Sequence, residues 1–316
     1  MIKPHISVIL PVYNAAFSIE ETIKSITSQN YRKIELICVD DGSSDNSVSK
    51  IKKLQNRDKR IQLLQFSKNS GISEALNFGI KNAKGKYIAR IDSDDLAETN
   101  RLEIQKQFLD QNPRVAIVGS WIQLFGKRKD VWHYRQASDQ IKSLLLFRTN
   151  GFPHNSILCR KEVFKEHSYD SYYDGVEDTE LWCRIIKKNP NIEFANIPKV
   201  LTKYRVHDQQ TSHKYKSKQM NLYRKIIKSY VEFFCDGITQ NDLNNHYNLI
   251  EMREKISEKK LNEIGQWKLY LEKKFNKRLN DRFYEINNKW HKLCRYNQNM
   301  NIFERYNSCK GILSYI

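Results

Sequence analysis

Asp92-Ser93-Asp94-Asp95 places three carboxylates within four residues, directly after the short apolar run Tyr87-Ile88-Ala89-Arg90-Ile91. Like charges this close repel and raise one another's pKa. A hard divalent cation removes that cost, because Mg²⁺ and Mn²⁺ favour oxygen ligands and often bridge to a phosphate. The cluster therefore reads as a site for a metal-held diphosphate, or as an acidic turn that caps the next helix. A second acid pair, Glu177-Asp178, opens a stretch with apolar residues at helical spacing. A carboxylate there can take a proton from a reacting hydroxyl, or simply complement a helix N-terminus. Asp40-Asp41-Gly42-Ser43-Ser44-Asp45 forms a third cluster, with Asp40 and Asp45 suited to a turn and a helix cap.

These residues need elements to hold them. Strands are expected at Ile6–Leu10, Ile34–Val39, Ile61–Phe66 and Tyr87–Ile91, and helices at Ile19–Gln29, from Asp45 through Leu54, and at Ile72–Asn82. Such alternation implies an α/β fold with a mainly parallel sheet covered by helices on both faces. Ligands in such sheets bind beyond the carboxyl ends of the strands. Pro11 to Asn14, Asp40 to Asp45 and Asp92 to Asp95 all fall there. Further helices are expected at Arg101–Gln111 and Asp178–Lys188, and strands at Val115–Trp121, Ser156–Cys159 and Val200–Tyr204.

Composition narrows the class. The chain has 316 residues, 40% of them hydrophobic, enough for one large domain or two smaller ones. No run approaches the roughly 18 apolar residues of a membrane span. Met1 to His5 leads straight into a strand and reads as carrying no signal peptide. The six cysteines lack metal-ligand spacing and read as reduced thiols, so a cytoplasmic location is expected. A net charge of +18 favours polyanionic partners, with more than half of the excess beyond residue 213.

Six segments occur in a telling order. Pro11-Val12-Tyr13-Asn14, Asp40 to Asp45, Asn69-Ser70-Gly71 through Asn77-Phe78-Gly79, Asp92-Ser93-Asp94, and Glu177-Asp178 followed by Tyr204-Arg205-Val206-His207 together resemble the family 2 glycosyltransferases of GT-A fold. The resemblance covers roughly residues 5–212. It implies an inverting transferase that moves a hexose or N-acetylhexosamine from a UDP-sugar to a hydroxyl of a glycan acceptor. By family position, Pro11 and Tyr13 line the base pocket, with Tyr13 free to stack on uracil. Asp41 would accept from the uracil imide, and Asn69, Gly71 and Asn77 would abut the nucleotide. Asp94 would ligate Mn²⁺ or Mg²⁺. Asp92 would reach the ribose or the metal, with Ser93 beside it, and Asp95 would either support the site from behind or accept from a hydroxyl of the donor sugar. Asp178 would be the general base, with Glu177 assisting. Arg205 would meet the diphosphate and His207 a phosphate or the metal, in an element that continues through Gln209, Gln210 and Ser212. Arg90 and Arg101 flank the acidic cluster, Arg90 as a donor contact or a surface ion pair. His154 is an acceptor-side contact or a strand-edge hydrogen-bonding group. Trp121 and Trp182 read as core.

The expected layout is a catalytic domain over 1–213 and a basic helical region over 214–316. Apolar stripes mark the latter: Met220 to Phe234, Ile256 to Phe275, and Phe283 to Leu293. These helices could pack on the catalytic domain, self-associate into a homo-oligomer, or lie on the inner face of an anionic membrane. A surface glycan such as lipooligosaccharide or capsule, lipid-linked or on a glycoprotein, is the expected acceptor class. A degenerate transferase fold acting as a basic nucleic-acid or membrane-binding module is the alternative. No basic run interleaved with aromatics supports nucleic acid, and no G-x-G-x-x-G follows the first strand to hold a dinucleotide.

Overall fold

The computed structural model describes residues 4–147, 151–207, 216–251, 255–275, 282–299 and 301–302, with backbone alone at 216–218, 275 and 282–285. Gln209, Gln210, Ser212 and Cys309 lie outside the described residues, as do the side chains of Phe275 and Phe283. Two compact units emerge: Met1–Ile141 with Asn150–Leu222, and Lys142–Thr149 with Tyr223–Ile316.

The first unit is built on a nine-stranded sheet. Its leading half alternates strand and helix: β1 (Ile6–Val12), α1 (Ile19–Thr27), β2 (Ile34–Asp40), α2 (Ser47–Arg57), β3 (Ile61–Gln65), α3 (Ile72–Asn82) and β4 (Tyr87–Arg90). Every residue of β1, β2 and β4 is buried. That explains why they read as continuous apolar runs rather than alternating ones. Burying each such aliphatic side chain stabilises by about 1.5–3 kcal/mol. Helix α1 turns Ile19, Ile23 and Ile26 onto the same core.

The strand order is β3-β2-β1-β4-β8-β6-β9-β5, with β7 paired to β6. The later members are β5 (Leu96–Ala97), β6 (Val115–Gly126), β7 (Val131–Trp132), β8 (Leu158–Arg160) and β9 (Glu193–Val206). The first four strands are parallel, as is β6 with β9. Pairings β4–β8, β6–β8, β6–β7 and β5–β9 are antiparallel. The sheet is thus mixed beyond β4, where the expectation was mainly parallel. Helices α4 (Arg101–Gln111), α5 (Ser138–Leu146), α6 (Val163–Glu166) and α7 (Glu177–Lys188) complete this stretch.

Order reverses between β1 and β4, and the two strands part early. Their ladder ends at Ile9 and Arg90, while β1 and β2 stay paired to Val12 and Asp40. Val12 accepts from the Asp41 N–H, so Pro11 faces the β4 side. Proline has no N–H to extend a ladder there. The crevice at this switch point is where such sheets take ligands.

The second unit is helical, with most of α8 (Lys216–Phe234), α9 (Gln240–Glu251), α10 (Glu258–Phe275) and α11 (Arg282–Tyr296). Its core holds Ile227, Tyr230, Leu249, Ile264, Leu271, Trp290 and Leu293. Helix α9 was not foreseen. It buries Asn245 and His246 among its few apolar residues, so its stripe is half polar. His246 is nonetheless satisfied: its Nε2 lies 2.8 Å from the Leu146 carbonyl and its Nδ1 3.2 Å from the Trp267 indole nitrogen. Burial lowers its pKa to about 4.

Candidate active site

On the β1–β2 side, backbone N–H groups and short polar side chains knit the loops together. Tyr13 follows β1 and is 53% exposed, a ring free on one face. Pro11, expected beside it in the pocket lining, is instead a buried member of β1. Asp45 accepts from Ala16 N–H and from the N–H and hydroxyl of Ser47, the helix-entry role expected of it. Burial alone would raise its pKa, but these hydrogen bonds prevail and lower it. Asp40 accepts from Ser43 N–H at 3.3 Å as a turn former, leaving its other oxygen buried without a partner among the described residues.

Asp41 spends both carboxylate oxygens on the loop before α3. It accepts from Ser70 N–H at 2.6 Å and Gly71 N–H at 3.0 Å. Burial raises its pKa against these bonds, and Asp174 and Asp40 add to the rise. Gly71 has φ +97°, a region L side chains rarely adopt, and a Cβ there would lie 2.1 Å from Asp174 Oδ2. Asn69 is exposed beside it. Asn77 turns inward and clamps Tyr169 through both its N–H and its carbonyl. That places it behind the site rather than against a nucleotide.

The acidic cluster divides sharply. Asp92 is gripped by Arg90 through two bonds of 2.5 and 2.6 Å. Arg90 is itself buried, which overturns its reading as a surface partner. Burial raises the Asp92 pKa, opposed by Arg90 and aided by Asp94 and Asp178. Asp95, expected either to support the site from behind or to meet a hydroxyl of the donor sugar, is 0% exposed. One of its oxygens accepts from Asn155 and the other from Arg205 N–H at 2.9 Å, so it is occupied as a brace. Burial pushes its pKa well up, as do Asp92 and Asp94. The Ser93 carbonyl accepts from Ser18 and Thr22 of the α1 segment, fixing the turn from below. Arg101 lies fully buried under the cluster and donates to the Arg90 and Ile157 carbonyls. Its burial lowers its pKa to about 9.

Strand β9 delivers the other two expected groups. Its pairing with β5, Leu96 to Lys203, seats Arg205 and His207 beside the cluster. Arg205 was expected on a diphosphate. Here its Nε donates to the Asp94 carbonyl, its Nη2 pairs with Glu21 at 2.5 Å, and its guanidinium lies 4.4 Å over the Phe125 ring. It braces the Asp94 loop instead of projecting into open space.

The three metal expectations reduce to two. No group of three His, Cys, Asp or Glu converges among the described residues. Asp92 is committed to Arg90, but His207 Nε2 and Asp94 Oδ2 stand 3.0 Å apart and partly exposed. Adjacent octahedral ligands at 2.0–2.1 Å from Mg²⁺ are about 3 Å apart, the same spacing. One carboxylate and one imidazole, with phosphate oxygens filling the shell, make a suitable donor set for Mg²⁺ or Mn²⁺.

Across from this cluster, α7 begins with the acid pair. Glu177 is buried and accepts from Gly175 N–H at 2.7 Å. Burial, then the neighbouring Asp178, lift its pKa to about 7. Asp178 is half-buried. Its Oδ1 accepts from Thr179 N–H at 2.6 Å, and no hydrogen bond engages Oδ2 among the described residues. Burial raises its pKa against the Thr179 bonds. A carboxylate with one free oxygen and a raised pKa suits a general base. Behind it, His154 bonds the Tyr169 hydroxyl at 2.7 Å and lies 3.7 Å from Glu177, buried rather than facing an acceptor.

Several participants escaped sequence reasoning. Asp174 accepts from Ser73 N–H and abuts Gly71; the Asp174-Gly175 turn dipeptide was its only signal. Tyr204 lies near Asp92, Asp94 and Asp95, which, after burial, raise its pKa. Tyr134 stands in the same relation to Asp178. Neither ring has a local sequence mark.

Comparison with known proteins bears on the family and fold of the chain. The model of Glycosyl transferase family 2 matches residues 7–168. An uncharacterized glycosyltransferase of Haemophilus influenzae is 29% identical over 296 residues, covering 90% of this chain and 85% of its own. The UDP-Glc:alpha-D-GlcNAc-diphosphoundecaprenol beta-1,3-glucosyltransferase WfgD of Escherichia coli is 30% identical over 227 residues, covering 72% of this chain and 87% of its own. Among solved structures, S. aureus TarS in complex with UDP-GlcNAc superposes with a TM-score of 0.63 at 14% identity, covering 95% of this chain and 90% of that one.

Proposed function

We propose, from the premise that the chain belongs to Glycosyl transferase family 2, that it transfers a hexose or N-acetylhexosamine from a UDP-sugar to a glycan hydroxyl with inversion. The observation that carries this reading is Asp178. It presents an unbonded carboxylate oxygen at the head of α7, within electrostatic reach of Asp92 in the donor-side cluster. Inversion is one in-line displacement, so a single carboxylate must face the leaving group across the sugar. Asp178 Oδ2 takes the acceptor hydroxyl proton as that oxygen bonds the anomeric carbon, and the electron pair of the breaking bond leaves with UDP. Glu177 backs this base and, with a pKa near 7, shares its charge state.

On the donor side, Tyr13 offers a face to the base, and the Asp41-closed loop from Asn69 to Gly71 shapes the nucleotide crevice. Asp94 and His207 would hold Mn²⁺ or Mg²⁺. The ion would neutralise charge on the departing diphosphate. Arg205 and Asp95 keep that pair in place. The activity named for the E. coli relative supports a UDP-sugar donor and a diphosphate-lipid-linked acceptor, and the TarS complex supports a UDP-sugar. No helix among the described residues is long and apolar enough to cross a membrane.

The test is Asp178→Asn, assayed for transfer from a panel of UDP-sugars with Mn²⁺ present and for UDP affinity by calorimetry. Transfer should fall at least 10³-fold, on the order of 4 kcal/mol in barrier, with UDP affinity within threefold of the parent. Near-normal turnover would remove Asp178 from the reaction.

A further inference from the structure

A cavity of about 310 Å³ lies within the helical unit, apart from the site described above. Helix α10 turns Glu263, Gln266, Trp267 and Tyr270 toward it, at spacings i, i+3, i+4 and i+7 that define one helix face. Between packed helices that face is ordinarily aliphatic. Here it carries a carboxylate, a carboxamide and two rings. Helix α9 adds Asn241 and Asn245, one turn apart.

Asn245 is the telling residue. It is 2% exposed, yet its Oδ1 has no hydrogen-bond partner among the described residues. Buried amide oxygens are nearly always bonded, so this one marks a missing donor. The rings are fixed in place. Trp267 gives its indole N–H to His246, and Tyr270 stacks on Trp267 at 5.1 Å and 21° while remaining 37% exposed.

The lining chemistry selects a ligand class. Amide and carboxylate oxygens accept from hydroxyl groups, amide N–H groups donate to them, and a flat ring packs against the C–H face of a pyranose. An anionic ligand would meet three lining carboxylates, Asp236, Asp242 and Glu263, against two lysines, Lys274 and Lys260, paired with the first and last. A metal ion lacks three converging ligands among the described residues. An apolar ligand would leave the amides unbonded. The volume sits at the small end of ligand sites, about 300–1,000 Å³, which suits one sugar ring. We propose that this cavity of the helical unit is a saccharide-binding site that takes one neutral pyranose residue of a glycan, with Asn245 and Gln266 bonding its hydroxyls and Tyr270 against its face.

Saturation-transfer NMR on the full chain tests this, with the methyl β-glycosides of glucose, galactose and N-acetylglucosamine as probes. At least one should bind the parent. Gln266→Ala, at an exposed position, should weaken that binding about tenfold while leaving melting temperature and UDP-sugar hydrolysis unchanged; Tyr270→Ala should weaken it as much, with only the small fall in melting temperature that loss of its stacking on Trp267 brings. Asp178→Asn should leave it unaltered, so loss of the transferase reading would not touch this one. The proposal fails if no glycoside binds, or if binding persists undiminished in the folded Gln266→Ala chain.

Discussion

Gly71→Ala should damage the donor crevice through two separable costs. The backbone at this position has φ +97° and ψ 160°, a combination essentially confined to glycine. Forcing alanine into it costs about 1–3 kcal/mol. The new methyl would also sit 2.1 Å from Asp174 Oδ2, so that side chain must swing away. Asp174 then releases Ser73 N–H, now accepted at 3.2 Å in the first turn of α3, which costs about 1 kcal/mol more. The sum is about 2–4 kcal/mol, and for a unit of this size it lowers the melting temperature by about 4–16 °C. Asp174→Ala alone should lose only the cap, about 1 kcal/mol. The double variant has no carboxylate to displace, so its loss should fall below the sum of the singles by about the cap term. UDP affinity should weaken with Gly71→Ala, because the Gly71 N–H is one of the two that Asp41 accepts. Thermal melts of the four chains and UDP calorimetry read all of this. A Gly71→Ala chain melting within 1–2 °C of the parent would refute the strain argument, and strict additivity would refute the clash.

Other expectations bear on charge. Glu177 has a folded pKa of about 7, above its ordinary 4.5, so the folded chain holds its proton more tightly. Its contribution to stability is full below about 4.5 and is lost as pH rises through 7; His154, whose pKa burial lowers, acts in the opposite sense below 6.5. Glu177→Gln should flatten the fall in melting temperature between pH 4.5 and 7, and an unchanged profile would clear Glu177 of it. His207→Ala should raise the Mn²⁺ concentration for half-maximal UDP-sugar hydrolysis about tenfold while leaving UDP affinity in chelator unchanged; identical titration curves would argue against His207 as a ligand. Asp95→Ala strands the Arg205 N–H and the Asn155 amide, costing about 2–6 kcal/mol, which denaturant melts would register as a clear shift of midpoint.

The leading strands and the loops after them were legible because β1, β2 and β4 are buried on all sides and read as unbroken apolar runs. Strand β9 was visible only at Val200 to Tyr204. Its first half contains Asn196, Pro198 and Lys199, and its ladder with β6 shifts register near Trp121. Such irregularity erases period-two alternation while tertiary pairing still holds the strand. Helix α9 was hidden because two of its inward positions are Asn245 and His246. Within the site, positions transferred better than roles. Asp92, Asp95 and Arg205 sit where expected, yet Arg90, Asn155 and Glu21 occupy them. Residue type fixes what a side chain can bond; only the fold decides which partner arrives first.

Charge balance in the acidic cluster carries a consequence for the order of events. Asp92, Asp94 and Asp95 stand among Arg90, Arg101 and Arg205, but Arg205 is also paired with Glu21, so four carboxylates face three guanidiniums. A divalent cation entering alone would find excess negative charge to offset, in a partly desolvated space where that attraction is strong. The diphosphate of a nucleotide sugar carries one negative charge on each phosphate, so its chelate with such a cation is neutral. On the proposed reading, the anionic cluster would draw the cation in first and the diphosphate donor would follow it, since a neutral chelate gains nothing from the cluster's field.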